Sequence, residues 1–165
     1  MRVIGIDPGI AITGFGLVDE IEDGSLKVVD YGAILTASTT PLPERLSQIF
    51  HSLSDLLELH HPDVGAVEKL FFQRNVRTAM GVGQARGVAL LSLGEARISL
   101  AEYTPLEVKQ AVTGYGSADK LQVQHMVRAL LALAEIPKPD DAADALAVAV
   151  CHLHSARLRS LSGAA

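Results

Sequence analysis

Arg2-Val3-Ile4-Gly5-Ile6-Asp7-Pro8-Gly9 is a short apolar run, rich in Ile and Val, that ends on an acid and a Pro-Gly turn. An ionised carboxylate at the rim of a core is costly unless a counter-charge answers it. A second run of this kind, Val64-Gly65-Ala66-Val67, ends on Glu68. Between the two, residues 13–19 and 26–36 read as strands, with Glu22-Asp23-Gly24-Ser25 as the turn that joins them. Links this short predict an antiparallel meander with the first strand. Thr39-Thr40-Pro41 and Pro43 then open a helix, whose Leu46, Ile49, Phe50, Leu53, Leu56 and Leu57 share one face, and His61-Pro62 ends it. Strand, crossover helix and strand place 64–68 parallel to 2–7. Asp7 and Glu68 then leave the sheet at the same edge, the carboxyl end, where α/β sheets place their sites.

Outward from this core, a loop at 69–74 leads to a helix at about 75–94 and a fifth strand at 97–103. Thr104-Pro105-Leu106-Glu107 is a capping box with proline at the first helical position, and that helix stops at Gly114. Gly114-Tyr115-Gly116 is a hinge, and Ser117 is the expected cap of a helix that turns Val123, Met126, Val127, Leu130 and Leu131 inward. Pro137 and Pro139 interrupt the chain before a last helix from about Asp141 to Leu158. The expected fold is an α/β domain, a five-stranded mixed sheet flanked by helices on both faces, over residues 1–158 with a short tail at 159–165.

The chain has 165 residues, 48% hydrophobic and 20% charged, which suits one packed domain and excludes disorder. No apolar run is long enough for a membrane span, the apolar start is too short for a signal peptide, and the single Cys151 has no partner for an internal disulfide. A cytoplasmic protein is expected. The net charge of −5 argues against nucleic acid at first sight, but it is unevenly spread. Residues 1–63 hold three basic and ten acidic side chains; residues 64–165 hold eleven basic and nine acidic ones.

Asp141 and Asp144 are spaced i, i+3, so they share one face of the last helix, and the surrounding Ala142, Ala143, Ala145 and Ala149 let that helix approach the sheet closely. Taken singly, Asp7 fits a turn residue and Asp141 a helix N-cap. Neither reading accounts for Glu68 at the end of an apolar strand. Acids that converge repel one another unless cations neutralise them. Oxygen-only ligands suit a hard ion such as Mg²⁺ or Mn²⁺, and two such ions ~3.5–4 Å apart can activate water and stabilise the leaving oxygen of a phosphodiester. Two divalent ions would also raise the net charge by about four units.

The chain resembles the RuvC family of bacterial Holliday-junction resolvases. The resemblance is carried by Gly5-Ile6-Asp7-Pro8-Gly9 with Thr13-Gly14, Ala66-Val67-Glu68, Gly83-Gln84-Ala85-Arg86-Gly87 and Val108-Lys109-Gln110. It continues through Gly114 to Ala118 with Lys120, Gln122-Val123-Gln124-His125-Met126-Val127-Arg128, and Asp141-Ala142-Ala143-Asp144-Ala145-Leu146. These run in order over nearly the whole chain, and as a set they are specific. The resemblance implies an RNase H-like fold, a homodimer, paired symmetric nicks across four-way junction DNA, and the branch-migration complex RuvA-RuvB as partner. It implies that Asp7, Glu68, Asp141 and Asp144 hold two Mg²⁺ ions per subunit, with Mn²⁺ as a substitute. It places Lys120 among the catalytic groups, Lys109 and Lys120 on phosphates, and Phe71 as the aromatic that wedges the junction. Asp140 lies outside the family's ligand set.

Phe72 follows Phe71 in a polar loop, and either ring can stack on an unpaired base or tuck into the core. Arg74 and Arg77 border that loop and can track the DNA backbone or simply be solvated. Ala79, Gly83 and Gly87 recur every fourth residue, which suits close approach of a two-fold partner or of the sheet. His125 is open to a structural or junction-contact role. Three other functions are weighed: an RNA-processing relative with the same carboxylates, an actin-like nucleotide-binding fold, and a junction binder without activity. The first lacks the Phe71 loop, the second needs two such domains, and the third has no use for four acids.

Overall fold

A computed structural model describes residues 1–69 and 76–161 of the chain. The strands are β1 (Arg2–Asp7), β2 (Ile12–Glu20), β3 (Leu26–Leu35), β4 (Val64–Glu68) and β5 (Ser99–Tyr103). The helices are α1 (Leu42–His60), α2 (Val76–Glu95), α3 (Pro105–Thr113), α4 (Lys120–Leu130) and α5 (Asp140–Leu161). The five strands form one mixed sheet in the order β3-β2-β1-β4-β5. β1, β2 and β3 are antiparallel neighbours, whereas β4 runs parallel to β1 and β5 parallel to β4. This is the mixed five-stranded sheet expected from the strand–helix–strand order.

Each face of the sheet buries its own apolar cluster. Ile4, Ile6, Leu17 and Val67 pack against Ile49, Leu53 and Leu57 of α1 and Ala85, Ala89 and Leu93 of α2. Val3, Val18, Ala66 and Tyr103 pack against α3, α4 and α5 on the other side. Strand side chains alternate between faces. Burial at roughly 25 cal/mol per Å² of apolar surface makes both layers the main source of stability. Among the described residues no helix is long and apolar enough to cross a membrane.

Helix ends differ from expectation in two places. Thr104 caps α3 as a capping box: its hydroxyl accepts from the Glu107 amide at 3.2 Å, and Glu107 Oε2 accepts from the Thr104 amide at 2.7 Å. For α4 the cap is Asp119, not Ser117. Gln122 stands three residues after Asp119 and returns the bond to its amide at 2.9 Å, whereas Lys120 in that place after Ser117 has no acceptor. On α4 it is Val123, Gln124 and Val127 that are buried, with Leu131 just past its end, while Met126 faces out. The last helix continues through Leu161, past the Leu158 end read from the sequence.

Candidate metal and nuclease centre

The bed on which α5 lies is built of glycine. Gly5 of β1 faces Gly16 of β2, and Asp7 faces Gly14. A Cβ on Gly5 would overlap the Ala145 carbonyl and the Ala149 amide, and one on Gly14 would overlap the Asp141 carbonyl. The α5 backbone therefore rests directly on these two strands, which requires glycine below and small residues above. Residues two apart along a strand share a face, so Asp7 points the same way as Gly5, towards α5. Gly5 pairs with Ala66 in β4, which puts Glu68 on that face too, level with Tyr103 of β5. The first turn of α5 adds Asp141 and Asp144.

Asp7, Glu68 and Asp144 line one cavity of about 220 Å³ together with Lys109 of α3 and Lys120 of α4. Asp141 does not line this cavity but stands beside it, close enough to act electrostatically on Asp7 and Asp144. Lys120 Nζ lies 3.0 Å from Asp144 Oδ2 and 3.4 Å from Asp140 Oδ2. Asp140, set apart from the ligands by the sequence reading, is thus a partner of that lysine.

Several of these groups are shifted from their ordinary values, Asp7 by the widest margin. Burial, then repulsion by Asp144, Glu68 and Asp141, pushes the Asp7 carboxyl up to about 7. Glu68 is raised by burial and by Asp144, against the pull of Lys109. Asp144 is raised chiefly by burial, which outweighs its bond to Lys120. Burial weighs most on the Lys120 ammonium and acts to lower its pKa, but hydrogen bonds and attraction from Asp144 and Asp140 carry the net shift upward. Among the described residues no three acid, histidine or cysteine side chains close into a ready-made cage. Like charges repel, so an open arrangement is what Coulomb's law gives neighbouring carboxylates by themselves. Half-buried oxygen donors carrying this much unanswered charge fit hard divalent cations.

A roomier cleft of about 600 Å³ lies where the ends of α1 and α2 meet the start of β5. Its charged groups, Glu58, Asp63, Glu95 and Arg97, are all exposed, so it offers none of the desolvation found at the carboxylate cavity. Chemistry therefore favours the smaller one.

The other expected site residues divide. Phe71, Phe72 and Arg74 lie outside the described residues, as does the Arg77 side chain. His125 is exposed on α4. Two groups near the site carry no role in the sequence reading. Arg86 of α2 donates from Nε to the Glu68 carbonyl at 3.4 Å and pairs with Glu102. Tyr103 Oη and His152 Nδ1 share a buried hydrogen bond at 2.9 Å beneath the site.

Residues 3–152 match the family model described as crossover junction endodeoxyribonuclease RuvC. The chain is 57% identical to the crossover junction endodeoxyribonuclease RuvC of Chloroflexus aurantiacus over 156 residues, covering 94% of each chain. It is 54% identical to that of Brevibacillus brevis over 162 residues, 98% of this chain and 97% of that one. Among solved structures it is similar to Thermus thermophilus RuvC, with a TM-score of 0.89 at 38% identity over 96% of both chains. It is also similar to T. thermophilus RuvC in complex with Holliday junction substrate, with a TM-score of 0.88 at 35% identity over 96% of both.

Proposed function

We propose that this chain, which belongs to the RuvC family of crossover junction endodeoxyribonucleases, resolves four-way DNA junctions by paired symmetric nicks, through metal-dependent phosphodiester hydrolysis. The observation that carries the reading is the convergence of acids from two parallel strand ends and one helix start, beside two lysines. Asp7, Glu68, Asp141 and Asp144 would hold two Mg²⁺ ions per subunit, with Mn²⁺ able to replace them. When bound, such ions supply Lewis acidity and a hydroxide nucleophile at neutral pH.

The chain's own groups do the rest. Lys109 faces Glu68 and Lys120 holds Asp144, so both ammonium groups stand where a phosphate at the cavity would need neutralising. Lys120 is the catalytic one of the two, because its Nζ already touches the acids at the reacting end. Val108, Val123 and Val148 wall the cavity with apolar surface and keep these charges partly dry, which strengthens them. The loop that follows Glu68 would carry Phe71 and Phe72 against unpaired bases at the crossover, with Arg74 and Arg77 along the backbone.

Paired cuts need two copies of the site. The outward face of α2 suits the two-fold contact: Met80 is 65% and Leu91 53% exposed, with Gly87 between them and open space around its Cβ position. An isologous homodimer through this stripe would present two cavities to one junction. We place it in the cytoplasm, with the branch-migration complex RuvA-RuvB delivering the junction.

The deciding experiment is metal-dependent nicking of a synthetic four-way junction, with cut sites mapped on every strand. Symmetric nicks on opposed strands, lost in chelator, are expected. Equal cutting of linear duplex, or cutting that survives chelator, would overturn the assignment.

A further inference from the structure

The close seat of α5 on glycine and alanine has a mechanical cost. Helices usually lock against their neighbours by side-chain ridges in grooves. Gly5 and Gly14 oppose bare helix backbone at Ala145, Ala149 and Asp141, and the Leu146 side chain sits over Gly16, so this contact offers few ridges to stop α5 from sliding along its own axis. Yet two of the acids ride on α5 and two on the sheet. Something must set their register.

Tyr103 ends β5 level with Glu68, and its carbonyl accepts from the Lys69 amide at 2.7 Å, tying it to the chain just past that acid. Its ring dips into the layer between sheet and helix, where its hydroxyl meets His152 Nδ1 at 2.9 Å. The two rings stand edge to face with centroids 5.9 Å apart, and both residues are more than nine-tenths buried. His152 follows Asp141 by three helical turns on the same face, roughly 16 Å along the axis. Burial, then the charge of Arg159, lowers the His152 pKa and keeps the ring uncharged, so the pair is a neutral hydrogen bond.

We propose that Tyr103 and His152 are positioning residues that fix the axial register of α5 against β4 and β5, and so place Asp141 and Asp144 opposite Asp7 and Glu68. Neither residue touches the reacting atoms. A hydrogen bond is directional and short in range, so it resists the slide that a glycine–alanine surface permits. Displacements near 1 Å at a metal or catalytic site are large on the scale that function tolerates. The proposal rests on the four-carboxylate reading of the site given above.

Four full-length variants test it: Y103F, H152N, H152L and the double variant Y103F/H152L. Melting temperature is measured in chelator, Mn²⁺ uptake is measured calorimetrically, and the Mg²⁺ concentration giving half-maximal junction nicking is determined. Y103F orphans a buried imidazole nitrogen, so it melts lower and binds Mn²⁺ roughly tenfold more weakly, the scale set by outer partners of metal ligands. The double variant removes both polar partners and regains melting temperature, but its Mn²⁺ binding stays weakened and its Mg²⁺ requirement stays raised. H152N keeps a side-chain amide within reach of the Tyr103 hydroxyl and binds Mn²⁺ much as the unmodified protein does. A double variant with unaltered Mn²⁺ uptake overturns the proposal, because the pair would then serve only its own hydrogen bonding. So does an H152N variant no better than H152L, a comparison that holds even if the double variant does not fold. Unmodified protein that takes up no Mn²⁺ would overturn the carboxylate site itself, a distinct failure visible before any variant is made.

Discussion

Replacing Asp7 with asparagine should stabilise the metal-free protein while destroying its metal response. Asp7 is largely buried beside three other acids, and its carboxyl is pushed from 3.8 up to about 7. A raised carboxyl pKa means that the folded state holds the proton more tightly than the unfolded chain. Stability is then lost as pH rises from about 4 towards 7, and the full penalty stands above 7. The shift corresponds to an upper bound of about 4 kcal/mol at pH 8. Side-chain rotation and water entry leave about 2 kcal/mol as a working lower figure. The asparagine amide carries no charge, so in chelator at pH 8 the substitution should raise the melting temperature by roughly 4–16 °C for a domain of this size. At pH 5 native Asp7 is mostly protonated when folded, so the gain should shrink to roughly half or less, and it should vanish below about pH 4. Saturating Mg²⁺ should reverse the order, because only the unmodified protein gains binding energy from the ion. Differential scanning calorimetry at three pH values, with and without metal, measures all of this. An Asp7→Asn protein that melts lower in chelator at pH 8, or whose gain ignores pH, would refute the clustering of charge on which the site depends.

Other expectations are quicker to state. Asp7→Asn should abolish junction nicking while leaving junction binding in gel shifts intact, since it removes neither a cationic nor an aromatic group. Junction affinity should fall steeply with salt, and Lys109→Ala and Lys120→Ala should each reduce the log–log slope by about one; unchanged slopes would remove these lysines from the phosphate contacts. Gly14→Ala should cost more than about 3 kcal/mol in urea unfolding, because its Cβ meets helix backbone and not a side chain that could move aside. Asp119→Ala should cost about 1 kcal/mol as the loss of a helix cap, with Ser117→Ala near zero.

The fold was legible because its signals were local and redundant. β1 and β4 are apolar runs, each closed by an acid, and the crossover helix between them dictates that they run parallel. Once that is granted, the register Gly5 to Ala66 sends Asp7 and Glu68 out together. Helix ends were less legible where two capping residues compete: Ser117 and Asp119 both fit by type, and only the answering Gln122 separates them. Met126 misled because an apolar residue at i+3 from Val123 fits the stripe as well as one at i+4. On a helix this short, the face is settled by what packs above it, and there Gln124 turns in. Phe71, Phe72 and Arg74 lie outside the described residues.

The site itself was harder to foresee than its ligands. Gly5, Gly14 and Gly16 are ordinary motif letters in one dimension; only strand pairing turns them into a floor on one face of β1 and β2. That floor explains why acids can reach α5 at all. A helix with ordinary side chains beneath it would stand off by the thickness of a side-chain layer, and Asp141 and Asp144 would then sit too far from Asp7 to share its charge. The alanines of α5 and the glycines of the strands are therefore half of the site, although none of them bears a functional group. The same economy leaves the contact few ridges beyond Leu146 over Gly16. Buried residues such as Tyr103 and His152 then acquire a task that no spacing rule assigns: each lies far from the other in sequence, and only the close seat of the helix brings them within a hydrogen bond.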